Sequence, residues 1–362
     1  MKKILCLIDG LGFGGAQRQL IGLVHLLKER GYDVTLASYH YKDFYSELLS
    51  SLSIEPVLLA HRGSQWSKLR AVAGFVKDRG FDVVISYLQG PNRINALLRL
   101  LGSKHLAVVS DRVTLQRVDR KCRLHYFLYR FVDVVVPNSH SQAAFIESNF
   151  PSLKDKVHTI TNFTDTNHFL PATNPVVRDV AEIAVAGRIS REKNLLTFMD
   201  AVAELKRRGV AVHFSWYGNV GGGQEEYGRE VAKRYDELAI EDYLTFHRGT
   251  DKIVEVYQGC DAFCLPSLYE GFPNVVCEAM SCGRPILCSR VCDNPLIVEE
   301  GGNGFMFDPA SVDSMVETVI RFCGLSCEER RAMGTRSRQL AEANFSEESF
   351  VKAYEAVIEN NN

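Results

Sequence analysis

Residues 1–20, MKKILCLIDGLGFGGAQRQL, predict how the chain begins to fold. The apolar run 4–8 is typical of a buried strand, and the periodic leucines that follow the glycines indicate a helix. Between them Gly10, Gly12 and Gly15 form the pattern G-x-G-x-x-G, which is typical of a turn that brings backbone amides close to a phosphate. The stretch therefore predicts an α/β domain that opens with a strand, a glycine turn and a helix.

A nicotinamide dinucleotide site is disfavoured by the end of the second strand. Such a site needs an acidic side chain there to hold the ribose hydroxyls. Here the strand ends in Ser38, Tyr39 and His40, and the first carboxylate is that of Asp43. The turn therefore favours a phosphate other than that of NAD. The alternative, which stays open, is a glycine-rich turn that has only a packing role.

Strand-like and helix-like segments alternate along the whole chain, in two halves. The polar, proline-containing stretch 170–179 (LPATNPVVRD) separates them and is typical of an interdomain linker. We predict an α/β fold of two facing, doubly wound Rossmann-like domains, 1–169 and 170–344, with the ligand cleft between them. The strand-like segments are 2–8, 33–38, 81–87, 105–110, 131–139, 181–187, 212–218, 243–249, 261–267, 284–289 and 304–307.

Composition and charge exclude several classes of protein. The chain has 362 residues, 46% of them hydrophobic, and no run approaches the roughly 20 apolar residues of a membrane helix. Residues 1–165 carry 22 Lys and Arg against 14 Asp and Glu, and residues 166–362 carry 20 against 30. This split predicts different partners for the two halves, and neither half is basic enough for nucleic-acid binding.

The ten cysteines include no C-x-x-C pair and lie in apolar segments. This distribution favours buried, reduced thiols over disulfides or metal ligands. The apolar core of the N-terminus, 4–8, is too short for a signal peptide. We therefore expect a cytoplasmic protein.

Two basic residues follow the strand AEIAVAG of the second half. Arg188 and Lys193 lie in the loop GRISREKN, at the carboxyl end of a parallel strand, where such folds bind ligands. A guanidinium and an ammonium group there could neutralise a diphosphate. The alternative is an ordinary solvated loop with two charged side chains.

Two carboxylates flank the next candidate site, in the stretch 260–287, CDAFCLPSLYEGFPNVVCEAMSCGRPIL. Glu270 lies on a predicted loop and Glu278, eight residues later, inside a predicted helix. We expect both to face one site, with the amides of residues 271–276 forming an anion-binding helix start. Carboxylates suit sugar and ribose hydroxyls because each accepts several hydrogen bonds. The alternative makes Glu270 a charge near the helix start and Glu278 a surface residue.

These segments together resemble the retaining glycosyltransferases of the large E-x7-E family (glycosyltransferase family 4, glycosyl transferases group 1), which have the GT-B fold. The E-x7-E motif reads Glu270 to Glu278, GR-x-S-x-EKN reads GRISREKN, and GGA-x-R-x-L reads GGAQRQL. The segments TNFTDTNHF, NGFMFDP and FSEESFVKAYEAVIE also match the family's pattern in order. The resemblance is to bacterial surface-glycan and lipid-linked oligosaccharide transferases, and it implies a closing helix, about 345–362, that packs back on the first domain.

The resemblance implies a role for each matched residue. Arg188 and Lys193 would hold the diphosphate of a nucleotide-sugar donor and stabilise the leaving group. Glu270 would bind the transferred hexose or N-acetylhexosamine, and Glu278 the nucleotide ribose. The further donor-binding residues that it implies are Gly14, Gly15, Gly271, Phe272, Pro273, Asn274 and Val275.

The resemblance also implies what the reaction needs. No cofactor is expected, and the donor is expected to be UDP-linked. The chain contains no D-x-D pair, so no metal site is predicted, and the basic pair would stabilise the departing diphosphate instead. The acceptor would be a glycan or a lipid-diphosphate-linked sugar. It would attack the donor sugar on the face that the leaving group vacates, and the leaving phosphate would take its proton.

Two positions depart from the family's pattern. Gln17 stands where a glutamate is usual, and no histidine follows the fourth strand, in FDVVISYLQGPNR. Leu88, Gln89 or Asn92 would have to replace that histidine beside the sugar.

Residues 112–130 contain six Lys and Arg interleaved with aromatic residues. Such a segment is suited to peripheral contact with an anionic membrane at the inner face of the cell, where a lipid-linked acceptor would lie. The alternative is a helix with a basic, solvated face.

The sequence leaves two other functions open. A nucleotide-sugar epimerase has a similar two-domain architecture and would turn over the donor without an acceptor. A non-catalytic nucleotide-sugar-binding protein would bind the donor without transferring its sugar.

Overall fold

The structure, a computed structural model, describes residues 1–12, 14–40, 44–59, 64–112, 117–173 and 178–360. Contacts between Cα atoms divide the chain into two compact units. The first comprises Met1–Phe163 and Glu347–Asn362, and the second comprises Thr164–Ser346.

The second unit begins at Thr164, six residues before the boundary expected at residue 170. The reason is that Phe169 is buried in the core of this unit, next to Tyr257. Its carbonyl also accepts a hydrogen bond from Ser281 Oγ at 2.8 Å. Of the stretch expected to be a linker, residues 174–177 lie outside the described residues.

The first unit alternates strands and helices, as the sequence predicts. Its strands are β1 (Lys3–Gly10), β2 (Asp33–His40), β3 (Val57–Leu58), β4 (Val83–Tyr87), β5 (Leu106–Asp111) and β6 (Val134–Pro137). Its helices are α1 (Gly15–Glu29), α2 (Ser46–Ser51), α3 (Gln65–Arg79), α4 (Gln89–Leu100), α5 (Arg120–Leu128) and α6 (His140–Asn149), with 3-10 turns at Tyr129–Phe131 and Pro151–Lys156. The sheet is parallel throughout, in the order β3-β2-β1-β4-β5-β6.

The second unit repeats this architecture. Its strands are β7 (Ala181–Ala186), β8 (Val212–Tyr217), β9 (Leu244–His247), β10 (Ala262–Leu265), β11 (Ile286–Ser289) and β12 (Gly304–Phe307). Its helices are α7 (Leu195–Arg207), α8 (Glu225–Leu238), α9 (Ile253–Gly259), α10 (Asn274–Ser281), α11 (Asn294–Ile297), α12 (Val312–Cys323) and α13 (Cys327–Phe345), with a 3-10 turn at Arg191–Lys193. The order β12-β11-β10-β7-β8-β9 is again the doubly wound one, so the predicted fold class is confirmed.

Alternate side chains of the central strands pack on opposite faces of each sheet. In β1, Ile4, Cys6 and Ile8 belong to one core cluster, and Leu5 and Leu7 belong to the cluster on the other face. All five are fully buried, which is why the strand reads as a continuous apolar run. Both faces of the sheet are therefore covered by helices.

The last helix, α14 (Glu347–Asn360), belongs to the first unit. Phe350, Val351, Tyr354 and Ile358 pack into the same cluster as α1. The hydroxyl of Tyr354 forms a 2.8 Å hydrogen bond with that of Tyr87 at the end of β4. The segment that completes the core of the first unit thus follows the whole second unit in the sequence.

The cysteines are free thiols, and seven of the ten are buried. Burial raises the pKa of Cys260 to about 12, so this group is a neutral thiol. Within the ranges described above, no helix is both long enough and apolar enough to cross a membrane.

The packing of α14 predicts a large effect of Phe350→Ala on the first unit. Phe350 is 4% exposed, so its truncation should lower the free energy of unfolding by about 3–5 kcal/mol. Urea unfolding followed by circular dichroism measures this. The matched control is Lys352→Ala in the same helix, whose side chain is 66% exposed. Equal effects of the two substitutions would show that α14 is not part of the core.

Candidate functional site

The strand order places two loops of the second unit side by side. β7 and β10 pair in the sheet although β8 and β9 lie between them in sequence. Because parallel strands share a carboxyl edge, loops 187–194 and 266–273 leave the sheet next to each other. This switch point is where doubly wound sheets bind ligands, and both predicted motifs lie there.

The backbone of loop 187–194 is fixed by close packing. The carbonyl of Gly187 accepts a hydrogen bond from Trp216 Nε1 at 2.9 Å. Gly218 leaves room for this carbonyl, because a Cβ at Gly218 would lie 2.0 Å from it. Asn194, with φ of 59°, then turns the chain into α7. These constraints set the positions of the residues between Gly187 and Asn194.

Lys193 and Glu270 form an ion pair across the two loops. Lys193 Nζ donates to Glu270 Oε1 at 2.5 Å, and each side chain is 14% exposed. Ser267 Oγ donates to the same carboxylate oxygen at 2.6 Å. Little water reaches the pair, which strengthens the attraction between the charges and also raises the cost of burying them. The structure thus brings two of the predicted site residues into direct contact.

Backbone groups also hold the two loops together. The amide of Leu268 donates to the carbonyl of Glu192 at 2.8 Å. The amide of Glu270 lies 3.4 Å from Cys292 Sγ, so the loop after β11 supports the carboxylate as well. The position of Glu270 is therefore fixed by three loops at one edge of the sheet.

Arg188 is the more exposed of the two predicted site residues in loop 187–194. Its side chain is 68% exposed, and its guanidinium is 3.4 Å from Glu192 Oε1. Glu192 is 21% exposed, so water reaches this pair more easily than it reaches Lys193 and Glu270, and the pair contributes little to stability. The guanidinium is therefore able to leave Glu192 for a stronger anion at small cost.

Glu278 lies inside α10, as the sequence predicts. Its Oε2 accepts a hydrogen bond from the hydroxyl of Tyr257 at 3.1 Å. Tyr257 is completely buried in α9, and burial together with the nearby Glu278 raises its pKa well above the ordinary value. The phenol therefore keeps its proton and orients the half-buried carboxylate.

The start of α10 offers fewer free amides than the sequence predicts. The amide of Asn274 donates to Phe272 O and that of Val276 to Pro273 O, both at 3.0 Å. Proline has no N–H to offer. Among the described residues, the amides of Gly271, Phe272 and Val275 have no acceptor, and they are the ones that an anion could use.

The glycine turn of the first unit is held from both sides. The hydroxyl of Tyr45 donates to Gly14 O at 2.8 Å, and Gly15 begins α1. Gln17 Nε2 reaches back to Gly10 O at 3.4 Å. Phe13 lies outside the described residues. The turn has the form of a helix start, and a role of Gly14 and Gly15 in binding a diphosphate stays a prediction.

Asn92 cannot replace the missing histidine. It is fully buried, and its Nδ2 donates to Ser110 O at 2.9 Å and to the hydroxyl of Tyr129 at 2.8 Å. Asn92 therefore stabilises the packing of α4 inside the first unit, and its side chain does not contact a sugar. Leu88 and Gln89, both half-buried at the start of α4, remain the candidates among the three.

The segment 112–130 is only partly the basic surface that the sequence predicts. Arg112 points into the first unit, where its guanidinium donates to the hydroxyl of Tyr354 at 2.8 Å and lies over the ring of Tyr87. Tyr126 and Tyr129 are buried, and both hydroxyls donate to Asp111 at 2.7 Å. Residues 113–116 lie outside the described ranges. The exposed residues of the segment are Arg117, Asp119, Arg120, Lys121, Arg123, Leu124, Phe127 and Arg130.

Two glycosyltransferase families match consecutive parts of the chain. Glycosyltransferase Family 4 matches residues 13–168, and Glycosyl transferases group 1 matches residues 170–340. Together the two matches span most of the chain, which belongs to the glycosyltransferases that these two families describe. The family resemblance inferred from the E-x7-E, GRISREKN and GGAQRQL segments is confirmed.

Two curated relatives are glycosyltransferases according to their names. The amylovoran biosynthesis glycosyltransferase AmsD of Erwinia amylovora is 26% identical over 83% of this chain and 85% of its own. The N-acetylgalactosamine-N,N'-diacetylbacillosaminyl-diphospho-undecaprenol 4-alpha-N-acetylgalactosaminyltransferase of Campylobacter jejuni is 23% identical over 80% of this chain and 81% of its own.

A solved structure shows the same fold. The Anabaena protein Alr3699/HepE, crystallised with UDP and glucose, matches this glycosyltransferase with a TM-score of 0.84. The match covers 99% of each chain at 20% sequence identity.

The contact between Lys193 and Glu270 predicts a strong coupling between their substitutions. Lys193→Met or Glu270→Gln alone leaves a poorly solvated partner, so each should lower the free energy of unfolding. The double variant should lose less than the sum by about 1–3 kcal/mol. Urea unfolding of the four proteins measures this coupling.

The pair of Arg188 and Glu192 in the same loop, which is more exposed, is the matched control. The cycle of Arg188→Met and Glu192→Gln should give a coupling of only about 0.2–1 kcal/mol. Equal couplings in the two cycles would contradict the interpretation that the Lys193–Glu270 pair is the fixed one.

Proposed function

We propose that this protein transfers a hexose or an N-acetylhexosamine from a nucleoside-diphosphate sugar to a glycan or lipid-linked acceptor, with retention of anomeric configuration. Membership of these two glycosyltransferase families supports the reaction class. The observation that carries the assignment of the site is the ion pair between Lys193 and Glu270 at the switch point. A cation for a diphosphate and a carboxylate for sugar hydroxyls are held there side by side.

The donor's diphosphate would compete with Glu270 for Lys193. A diphosphate carries more negative charge than a carboxylate, and Arg188 is close in sequence to add a second cation. Glu270, released from the ammonium group, would then accept hydrogen bonds from the hydroxyls of the sugar. Glu278, oriented by Tyr257, would accept hydrogen bonds from the ribose.

The two cations would do the electrostatic work of catalysis. The bond between the anomeric carbon and the phosphate oxygen breaks, and negative charge develops on the diphosphate beside Arg188 and Lys193. The acceptor oxygen bonds to the anomeric carbon on the same face, and its proton passes to the departing phosphate oxygen. This reaction needs no metal ion and no protein base.

The names of similar proteins guide the choice of substrates. The Campylobacter jejuni relative acts on a diphospho-undecaprenol-linked sugar according to its name, and the Anabaena structure contains UDP. We therefore propose a UDP-sugar as donor and a lipid-diphosphate-linked sugar as acceptor.

A panel of nucleotide sugars, with NAD included, tests the donor assignment by thermal shift without added metal. One donor should raise the melting temperature of the wild type and have little effect on Glu278→Ala, because that variant loses the ribose contact. Glu226→Ala, an exposed glutamate of the same unit, is the control and should behave as the wild type. Stabilisation by NAD alone would refute the proposal.

The donor that binds is then incubated with lipid-linked acceptors in the presence of a chelator. The product of an α-linked donor should be α-linked by NMR, and its yield should not change with the chelator. Conversion of the donor into another sugar without acceptor would identify an epimerase. Binding without turnover, with every acceptor tried, would favour a non-catalytic binding protein.

A lipid-linked acceptor would bring the protein to the inner face of the cell membrane. The exposed part of the segment 117–130 combines five Lys and Arg with Leu124 and Phe127, which are 63% and 50% exposed. We propose that this surface makes transient contact with anionic lipids. The hydrophobic side chains would enter the interface, and the basic ones would lie at the headgroups.

Binding to phosphatidylglycerol vesicles tests the contact through Arg120→Ala/Lys121→Ala. Each basic residue near an anionic surface contributes about 1 kcal/mol, so the double variant should bind roughly thirtyfold more weakly at low salt. The control is Lys233→Ala, an 80% exposed lysine of the second unit. Equal binding of wild type and double variant would contradict the proposed surface.

A further inference from the structure

The second unit contains a cavity of about 510 Å³ at the edge of its sheet away from the candidate donor site. Asp261 and Pro285, which line it, directly precede β10 and β11, whereas Glu270 follows β10. Because the strands are parallel, the cavity and the Lys193–Glu270 pair lie at opposite edges of the sheet. The cavity is therefore a separate feature.

The lining of this cavity is strongly basic. Asp261 is the one acidic residue among the described residues that line it. The overall balance of the chain from residue 166 onwards is the opposite, with 20 Lys and Arg against 30 Asp and Glu. The positive charge is thus concentrated here against an acidic background. The arginines that line the cavity are Arg178, Arg284, Arg330, Arg331 and Arg338.

Two of these arginines are bonded to groups without formal charge. Arg284 donates to Cys260 O at 2.8 Å and to Cys282 O at 3.1 Å. Arg330 donates to Cys323 O at 2.6 Å. Carbonyl oxygens fix the direction of a guanidinium, but they do not neutralise it. These bonds therefore hold positive charge in place at the cavity.

The remaining donors are not fully used. Arg330 Nε is buried and has no hydrogen-bond partner among the described residues. Arg331 is exposed, and no acidic residue that the structure describes forms an ion pair with it. Arg178 forms a long ion pair with Asp261, at 3.8 Å, and this distance is too great for a hydrogen bond. Arg338 has the most partners of the five, since it pairs with Glu342 and donates to several carbonyls.

We propose that this cavity binds the phosphate groups of a phosphorylated ligand. The planar guanidinium fork matches phosphate oxygens, and several such groups around one space suit a ligand with two or more negative charges. The volume is within the range of small-molecule sites, so it admits a nucleotide- or sugar-phosphate-sized ligand as well as a lipid headgroup. Pro171, Ala172 and Pro285 provide an apolar wall for the rest of such a molecule.

Isothermal titration with inorganic pyrophosphate tests the proposal on the full chain. The wild type should bind pyrophosphate, and Arg178→Ala/Arg331→Ala should bind it at least tenfold more weakly. These two side chains have no strong partner, so the fold should survive, and the melting temperature of the variant checks this. Arg229→Ala, another exposed arginine of the second unit, is the matched control and should bind as the wild type.

Lys193→Met separates this cavity from the candidate donor site, which also suits a diphosphate. Pyrophosphate binding that persists in Lys193→Met and is lost in the arginine variant supports the proposal. Binding that is lost only in Lys193→Met, or no binding by the wild type, overturns it. These results do not depend on whether the protein transfers a sugar.

Phosphatidylglycerol vesicles distinguish the two sources of phosphate. Vesicle binding that Arg178→Ala/Arg331→Ala weakens would identify a lipid headgroup as the ligand. Unchanged vesicle binding, together with arginine-dependent pyrophosphate binding, would identify a soluble phosphorylated molecule.

Discussion

The ion pair between Lys193 and Glu270 exists because β7 and β10 are neighbours in the second sheet. These residues are 77 positions apart, and only the reversal of strand order brings their loops together. The glycines, the left-handed Asn194 and the buried indole of Trp216 all serve to fix the loop that carries Lys193. A doubly wound sheet thus supplies the rigid base, and two short loops supply the chemistry.

The pair also explains how the site can be stable and reactive. A lysine with little access to water is costly unless an anion neutralises it, and Glu270 is that anion in the structure described here. A diphosphate would take over the same role and release a carboxylate for sugar hydroxyls. The diphosphate and Glu270 are therefore equivalent as anionic partners of Lys193. Exchanging one for the other keeps the charge of the lysine neutralised.

Much of this structure is predictable from the sequence, because buried parallel strands read as continuous Val and Ile runs. Every strand predicted from such a run is present, and the two motif loops follow β7 and β10 as expected. The two-residue strand β3 is too short to leave a pattern. The burial of Asn92 and the bond between Tyr257 and Glu278 depend on distant segments. No local pattern reports such contacts.

Contacts between distant segments also explain why the sequence predicts neither the inward position of Arg112 in segment 112–130 nor the basic cavity. Composition indicates a basic surface, but it does not show that Arg112 turns inward to Tyr354, which is 242 residues away. Three of the five arginines of the cavity lie within residues 330–338, but Arg178 and Arg284 are far from them in sequence. Folding brings these charges together, and no local pattern shows that they line one cavity.

The most direct test of the account is a crystal structure with the nucleotide sugar that stabilises the wild type. We expect Lys193 Nζ to lie within hydrogen-bond distance of a diphosphate oxygen and to have left Glu270, whose carboxylate contacts the sugar. An intact pair between Lys193 and Glu270, with the diphosphate bound elsewhere, would contradict it.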